Sequence, residues 1–165
     1  MLLRLYGYKS AHLQEFLTDY AEFKARVSDI DQRMGTMVCI AFEECSCCSS
    51  AFKLIEMLGS LLERPLVSRD FQPKYAKLLT MFNKELDNAK TVFDNQVLLL
   101  DSPTGPVVNK NMPHVAGVTG WCRQLRERVE GSMTRLKTIN HGTMESAEAM
   151  VVFSKFDEMM QLIEQ

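Results

Sequence analysis

At 165 residues, 46% of them apolar, the chain has the size of one domain and enough apolar surface for a sizeable core. Nineteen lysines and arginines against 21 acidic residues leave a formal charge of −2, which excludes the concentrated basic face that nucleic acid requires. No apolar run approaches the roughly 20 residues that cross a bilayer, and residues 1–10 lack a sustained apolar region and a small-residue cleavage site, so no membrane partner is expected.

Five cysteines, an odd number with Cys45, Cys47 and Cys48 crowded together, read as the reduced thiols of a soluble intracellular protein.

Helical periodicity dominates from the start. Phe16, Tyr20, Phe23, Val27, Ile30, Met34, Met37 and Ala41 recur at alternating steps of four and three, which predicts one apolar stripe on a long helix over about 10–45. Gly35 falls off that stripe and is expected only to lower local propensity by about 1 kcal/mol. A second helix over about 49–64 is expected to take a cap from Ser49 or Ser50, to bury Phe52, Ile55, Leu58 and Leu62, and to stop at Pro65. A third, over about 71–99, is expected to start near Asp70 with Pro73 tolerated in its first turn, and to carry the seam Tyr75, Leu79, Phe82, Leu86, Ala89 and Phe93.

Residues 101–113 contain three of the five prolines and Gly105, so a loop is expected there. A fourth helix over about 114–136 carries Val118, Trp121, Cys122, Leu125, Val129 and Met133. A fifth over about 143–165 turns Val152, Phe156, Met159, Met160 and Ile163 inward, and it reaches Gln165 without a stop signal, as if cut from something longer. With no alternating strand pattern, the fold class expected is all-α: a single segment, 1–165, forming an elongated antiparallel bundle of about five helices.

Catalytic chemistry is not expected. No glycine-rich run ends in Lys-Ser or Lys-Thr, so the backbone cradle for nucleotide phosphates is missing. Cys45, Cys47 and Cys48 lack the second ligand pair of a structural zinc site, and His12 and His114 are remote from them in sequence, so no metal or cofactor is expected. Cys122 shares its helix with Arg123 and Arg126 but has no histidine near it in sequence, which favours a packing thiol. His114 and His141 read as solvated loop residues, and Glu43 with Glu44 as a solvated helix end. The one architectural site is Asn111, Met112, Pro113 and Gly117, expected to turn the chain so that Trp121 enters the core between the third and fourth helices.

Several stretches resemble a known family. Phe52-Lys53-Leu54-Ile55, Leu61-Leu62-Glu63-Arg64-Pro65-Leu66 and Glu85-Leu86-Asp87-Asn88-Ala89-Lys90 are similar to the N-terminal tail of dynein heavy chains. So, in the same order, are Asn109-Lys110-Asn111-Met112-Pro113, Val115-Ala116-Gly117, and Trp121 followed by Gln124-Leu125-Arg126-Glu127-Arg128; Asp29 to Gly35 resembles the preceding helix. The Asn-Lys-Asn-Met-Pro wording and the cysteine-rich turn from Phe42 to Ser50 are closer to axonemal than to cytoplasmic members.

The resemblance implies a structural and assembly segment of a microtubule motor, located in the cytoplasm and the ciliary or flagellar axoneme. Its implied partners are other dynein subunits, namely heavy, intermediate or light chains, or docking proteins. The ATPase ring would lie elsewhere in the parent chain. On periodicity alone a non-motor helical scaffold or adaptor remains the alternative, with an enzyme third.

Overall fold

A computed structural model describes residues 2–100, 108, 111–139 and 141–164, with side chains from His12 onward. Six α-helices and one 3₁₀ turn make up the regular structure, and no strand occurs among the described residues. They are α1 (Leu2–Glu43), α2 (Cys48–Met57), α3 (Gly59–Leu62), α4 (Pro65–Leu100), α5 (His114–Thr138) and α6 (Ala147–Glu164), with the 3₁₀ turn at Gly142–Glu145. The expected loop over 101–113 falls largely outside the described residues.

The 36-residue α4 is the central element. Leu79, Phe82, Leu86 and Ala89 of its expected seam are buried, Tyr75 and Phe93 pack at the edge, and Val67, Phe71 and Leu78 extend the buried face toward the N-terminus. Phe42, Phe71 and Phe82 are fully enclosed, each contributing about 1.5–3 kcal/mol by burial. Phe71 meets Phe42 and Tyr75 edge-on, with ring centroids 5.2 and 5.3 Å apart.

Proline behaves differently from expectation at two positions. Pro65 ends α3 but also starts α4. The Ser68 amide donates to the Arg64 carbonyl at 2.8 Å, so Pro65 occupies the first helical position, where its missing N–H costs nothing and its fixed φ is already helical. The third expected helix thus begins six residues earlier than 71, and Pro73 lies inside α4 rather than in its first turn. The packing of Phe71 against α1 holds that turn, whose Asp70 carbonyl accepts the Cys39 thiol at 3.4 Å. Asp70 itself is not a cap; its carboxylate takes Arg69 at 3.2 Å.

On α1 the contact stripe is rotated by one residue from the expected one. Asp31, Gly35, Val38 and Phe42 are buried, whereas Phe16, Tyr20, Phe23, Ile30 and Met37 are exposed and Val27, Met34 and Ala41 are intermediate. Gly35 lies on the interface: a β-carbon there would stand 3.2 Å from Asp70 Oδ2 and 3.6 Å from Val67 Cα. The absent side chain lets α4 approach this side of α1.

Directions follow from the contacts. Asp31 with Arg64, Phe42 with Phe71 and Glu43 with Lys74 make α1 and α4 parallel, because α2 and α3 return the chain between them. Phe93 with Trp121 and Glu85 with Arg128 make α5 antiparallel to α4. Arg126 with Glu164 turns α6 back again, so α6 runs with α4.

The second expected helix is two short ones, α2 and α3, divided at Leu58. Cys47, rather than Ser49 or Ser50, is the N-cap of α2, and it makes no side-chain cap; the Ser50 hydroxyl donates to the Cys47 carbonyl at 2.8 Å instead. The last helix starts at Ala147 after the 3₁₀ turn, burying Ala149, Val152, Phe156 and Met159 with Met160 and Ile163 at the margin.

Candidate functional site

An open cavity of about 710 Å³ lies at the N-terminus of α2. Cys45, Cys47 and Cys48 form one wall, Lys77, Lys84 and Glu85 of α4 another, and Arg128, Ser132 and Arg135 of α5 a third. Its charged lining is mostly basic, with Lys77, Lys84, Arg128 and Arg135 around Glu85. Arg128 Nε lies 3.6 Å from Glu85 Oε1, and the Ser132 hydroxyl donates to Glu85 Oε2 at 3.4 Å. Arg135 Nε is 3.8 Å from Glu56 Oε1, and Lys77 pairs with Glu43. This network ties α2, α4 and α5 together.

The three thiols diverge in character. Burial, followed by the carboxylate of Glu85, pushes the Cys48 thiol up to about 12. Cys47 is exposed, and hydrogen bonding with the Ser50 side chain and backbone, and less with the Ser49 backbone, holds its thiol below the usual range. Burial raises Cys39 and Cys122. Among the described residues no three histidine, cysteine or acidic side chains gather closely enough to hold a metal ion. Among the described residues no histidine lines the cavity, and Glu85 is the carboxylate on its wall.

Glu43 is more than a solvated helix end. Lys74 Nζ donates to Glu43 Oε1 at 2.6 Å and Lys77 to Oε2, and these hydrogen bonds hold the carboxyl down at about 2. His141 likewise departs from a solvated loop reading: it is half-buried, stacks on Tyr75 at 4.2 Å, and its Nδ1 accepts from the Thr143 amide at 3.2 Å. The partners lie far apart in sequence, which is why local reading missed them. The same holds for Lys155, which bridges Asn83 at 2.8 Å and Asp87 at 2.5 Å between α6 and α4.

Asn111, Met112 and Pro113 lie at the surface, with Pro113 as the N-cap of α5 and its carbonyl accepting the Gly117 amide at 2.9 Å. Gly117 is buried. Trp121, one turn on, is intermediate in exposure and stacks on Phe93 of α4 with centroids 6.1 Å apart and planes 17° apart.

Comparison with known proteins places this scaffold. Residues 9–165 match the family described as dynein heavy chain, N-terminal region 1. The chain is 43% identical over 148 residues to human "Dynein axonemal heavy chain 17", covering 90% of this chain and 3% of that one. It is 39% identical over 155 residues to "Dynein beta chain, ciliary" of Heliocidaris crassispina, covering 91% and 4%. To the "Dynein beta chain, flagellar outer arm" of Chlamydomonas reinhardtii it is 24% identical, covering 94% and 3%. The chain thus spans only 3–4% of these relatives' length. An all-helical bundle and a family match over nearly every residue lead to one assignment: the chain belongs to the dynein heavy chain family and falls within its N-terminal region.

Proposed function

We propose that this segment is a structural strut in the tail of an axonemal dynein heavy chain, and that it supports assembly with intermediate or light chains, another heavy chain or docking proteins on the ciliary or flagellar axoneme. The observation that carries the reading is the 43% identity to an axonemal heavy chain over 90% of the chain, on a core that joins α1, α2, α4, α5 and α6. The cavity at α2 supports it, because the Glu85, Arg128 and Ser132 network serves to join helices. Under this reading the segment transmits and positions, while ATP hydrolysis coupled to microtubules belongs to another part of the parent chain. The turn from Asn111 to Gly117, with Trp121 on Phe93, anchors α5 to α4.

Lysine-directed cross-linking in intact axonemes tests this. Lys53, Lys84, Lys90 and Lys137 are exposed on α2, α4 and α5. Cross-links from these lysines to another dynein subunit or a docking protein are expected. Intact axonemes in which all of them link only within their own heavy chain would overturn the assembly role.

A further inference from the structure

Four cations stand around the open cavity in two tiers. Lys77 and Lys84 lie two turns apart on α4, as Arg128 and Arg135 do on α5, and two helical turns rise about 10.5 Å. Because α5 runs antiparallel to α4 and Arg128 meets Glu85, Lys84 is level with Arg128 and Lys77 with Arg135. Between the tiers Gly131 leaves open space where a β-carbon would stand, and Phe52 and Met81 add apolar lining. The Arg135 guanidinium lies over the Phe52 ring, 6.0 Å from its centroid, which helps fix it at the rim.

These charges are only partly compensated. Glu43 is shared between Lys74 and Lys77, and Lys84 has no ion-pair partner among the described residues. Arg128 and Arg135 approach Glu85 and Glu56 at 3.6 and 3.8 Å, beyond hydrogen-bond distance. The side chain of Arg128 is 71% exposed, whereas that of Glu85 is 17% exposed and takes the Ser132 hydroxyl, so the rim itself is cationic. Lys74 and the four lining cations face three acids here, a local positive excess in a chain whose formal charge is −2.

We infer that the cavity receives an acidic helix of a separate protein, with two carboxylates seven residues apart, one between Lys84 and Arg128 and the other between Lys77 and Arg135. A helix returns a side chain to the same face after two turns, about 10.5 Å on, which matches the tiers. An extended peptide repeats a face at about 7 or 14 Å, and a single anionic group reaches one tier only. A second copy of this chain is a poorer fit. Among the described residues its helical acids at that spacing each include one already engaged, as Glu22 is with Arg26 and Asp87 with Lys155. The exposed arginine rim is reachable after the heavy chain has folded, as docking of a separate protein requires. This inference rests on the assembly role proposed above and gives one partner its chemistry.

Zero-length carbodiimide cross-linking of intact axonemal dynein, which joins a lysine to a carboxylate in direct contact, provides the test. Lys84 is expected to join an aspartate or glutamate in a protein other than the heavy chain, with a second acid seven residues away in the same helix. Full-length heavy chain carrying Lys84→Glu, which breaks no ion pair among the described residues, should bind that protein about fivefold more weakly at low salt. Replacing the linked carboxylate of that protein with lysine should restore binding, and Lys90→Glu, outside the cavity, should leave it unchanged. The proposal is overturned if Lys84 joins only heavy-chain carboxylates or none, if the linked peptide lacks the second acid, or if Lys84→Glu binds as well as wild type. Any of these results, together with lysine-directed links from Lys53, Lys90 or Lys137 to another subunit, would refute the acidic helix while leaving the assembly role standing.

Discussion

The Asp31 carboxylate on α1 lies 2.6 Å from the Arg64 guanidinium, the residue just before α4, where it is only 11% exposed while the arginine is 43% exposed. The Nε–H is not aligned on Oδ1, so this oxygen has charge compensation without a directed donor. Arg64→Ala should therefore strand a nearly buried carboxylate and cost about 1–3 kcal/mol in denaturant unfolding. Replacing both residues with leucine should recover most of that loss. A double variant no more stable than Arg64→Ala would refute this account of the pair.

Gly35 makes a second expectation about the same interface. Alanine there meets Asp70 Oδ2 at 3.2 Å, the movable end of a side chain, while gaining about 1 kcal/mol of helix propensity over glycine. The two effects offset, so Gly35→Ala should change stability by less than about 1 kcal/mol. Gly35→Leu must displace α4 near Val67 and should cost about 1–3 kcal/mol. Equal melting temperatures for the two variants would show that α1 and α4 do not pack closely here.

Trp121 is stacked but not fully enclosed, which lowers the expected cost of removing it. Trp121→Ala should destabilise by about 2–3 kcal/mol, below the roughly 3–5 kcal/mol typical of a fully buried large aromatic. Trp121→Phe keeps the stack on Phe93 and should lose less than half as much. An unchanged melting curve with weakened subunit capture would instead make Trp121 an interface anchor.

Alkylation at pH 7.5 should separate neighbouring thiols. Cys47 is exposed with its thiol lowered, whereas Cys48 is buried and pushed up to about 12. Peptide-level mapping should find Cys47 labelled first and Cys48 only after unfolding. Labelling of both at one rate would show that the N-terminus of α2 opens readily.

Glu43 links stability to acid. Its folded-state value of about 2 lies below the unfolded 4.5, so its pairing with Lys74 and Lys77 contributes in full above about pH 4.5 and fades as pH falls toward 2. Wild type should exceed Glu43→Gln in stability at pH 6, and the gap should close between pH 4.5 and 2. A gap that stays constant across this window would mean the ion pairs add nothing.

Much of this architecture was legible before the structure. The α4 seam was, because Leu79, Phe82, Leu86 and Ala89 are apolar on one side only and find their partners within the chain. The α1 stripe was misassigned for a physical reason: most of its periodic residues, Phe16, Tyr20, Phe23, Ile30 and Met37, stay exposed, while the internal contact runs through Asp31 and Gly35, a charge and a missing side chain. Pro65 carries the same steric signal whether it stops one helix or starts the next, and only the fold back of α2 and α3 decides that it does both. Of the candidate site, the cysteine cluster and Trp121 could be found by reading along the chain. The acid and base partners around the cavity could not, since Glu85, Arg128 and Arg135 meet only after α4 and α5 align.

The parallel course of α1, α4 and α6 sets how this segment meets force. The covered part of α1 and the whole of α6 advance in one direction, with α2, α3 and α5 returning between them, so Leu2 and Glu164 lie toward opposite ends of the bundle. A pull transmitted along the polypeptide then slides α1 past α4 lengthwise, loading Asp31 with Arg64, Phe42 with Phe71 and Glu43 with Lys74 together. Contacts sheared in concert share the load, whereas contacts peeled one at a time do not, so opposed pulls on Leu2 and Glu164 would meet all three contacts at once.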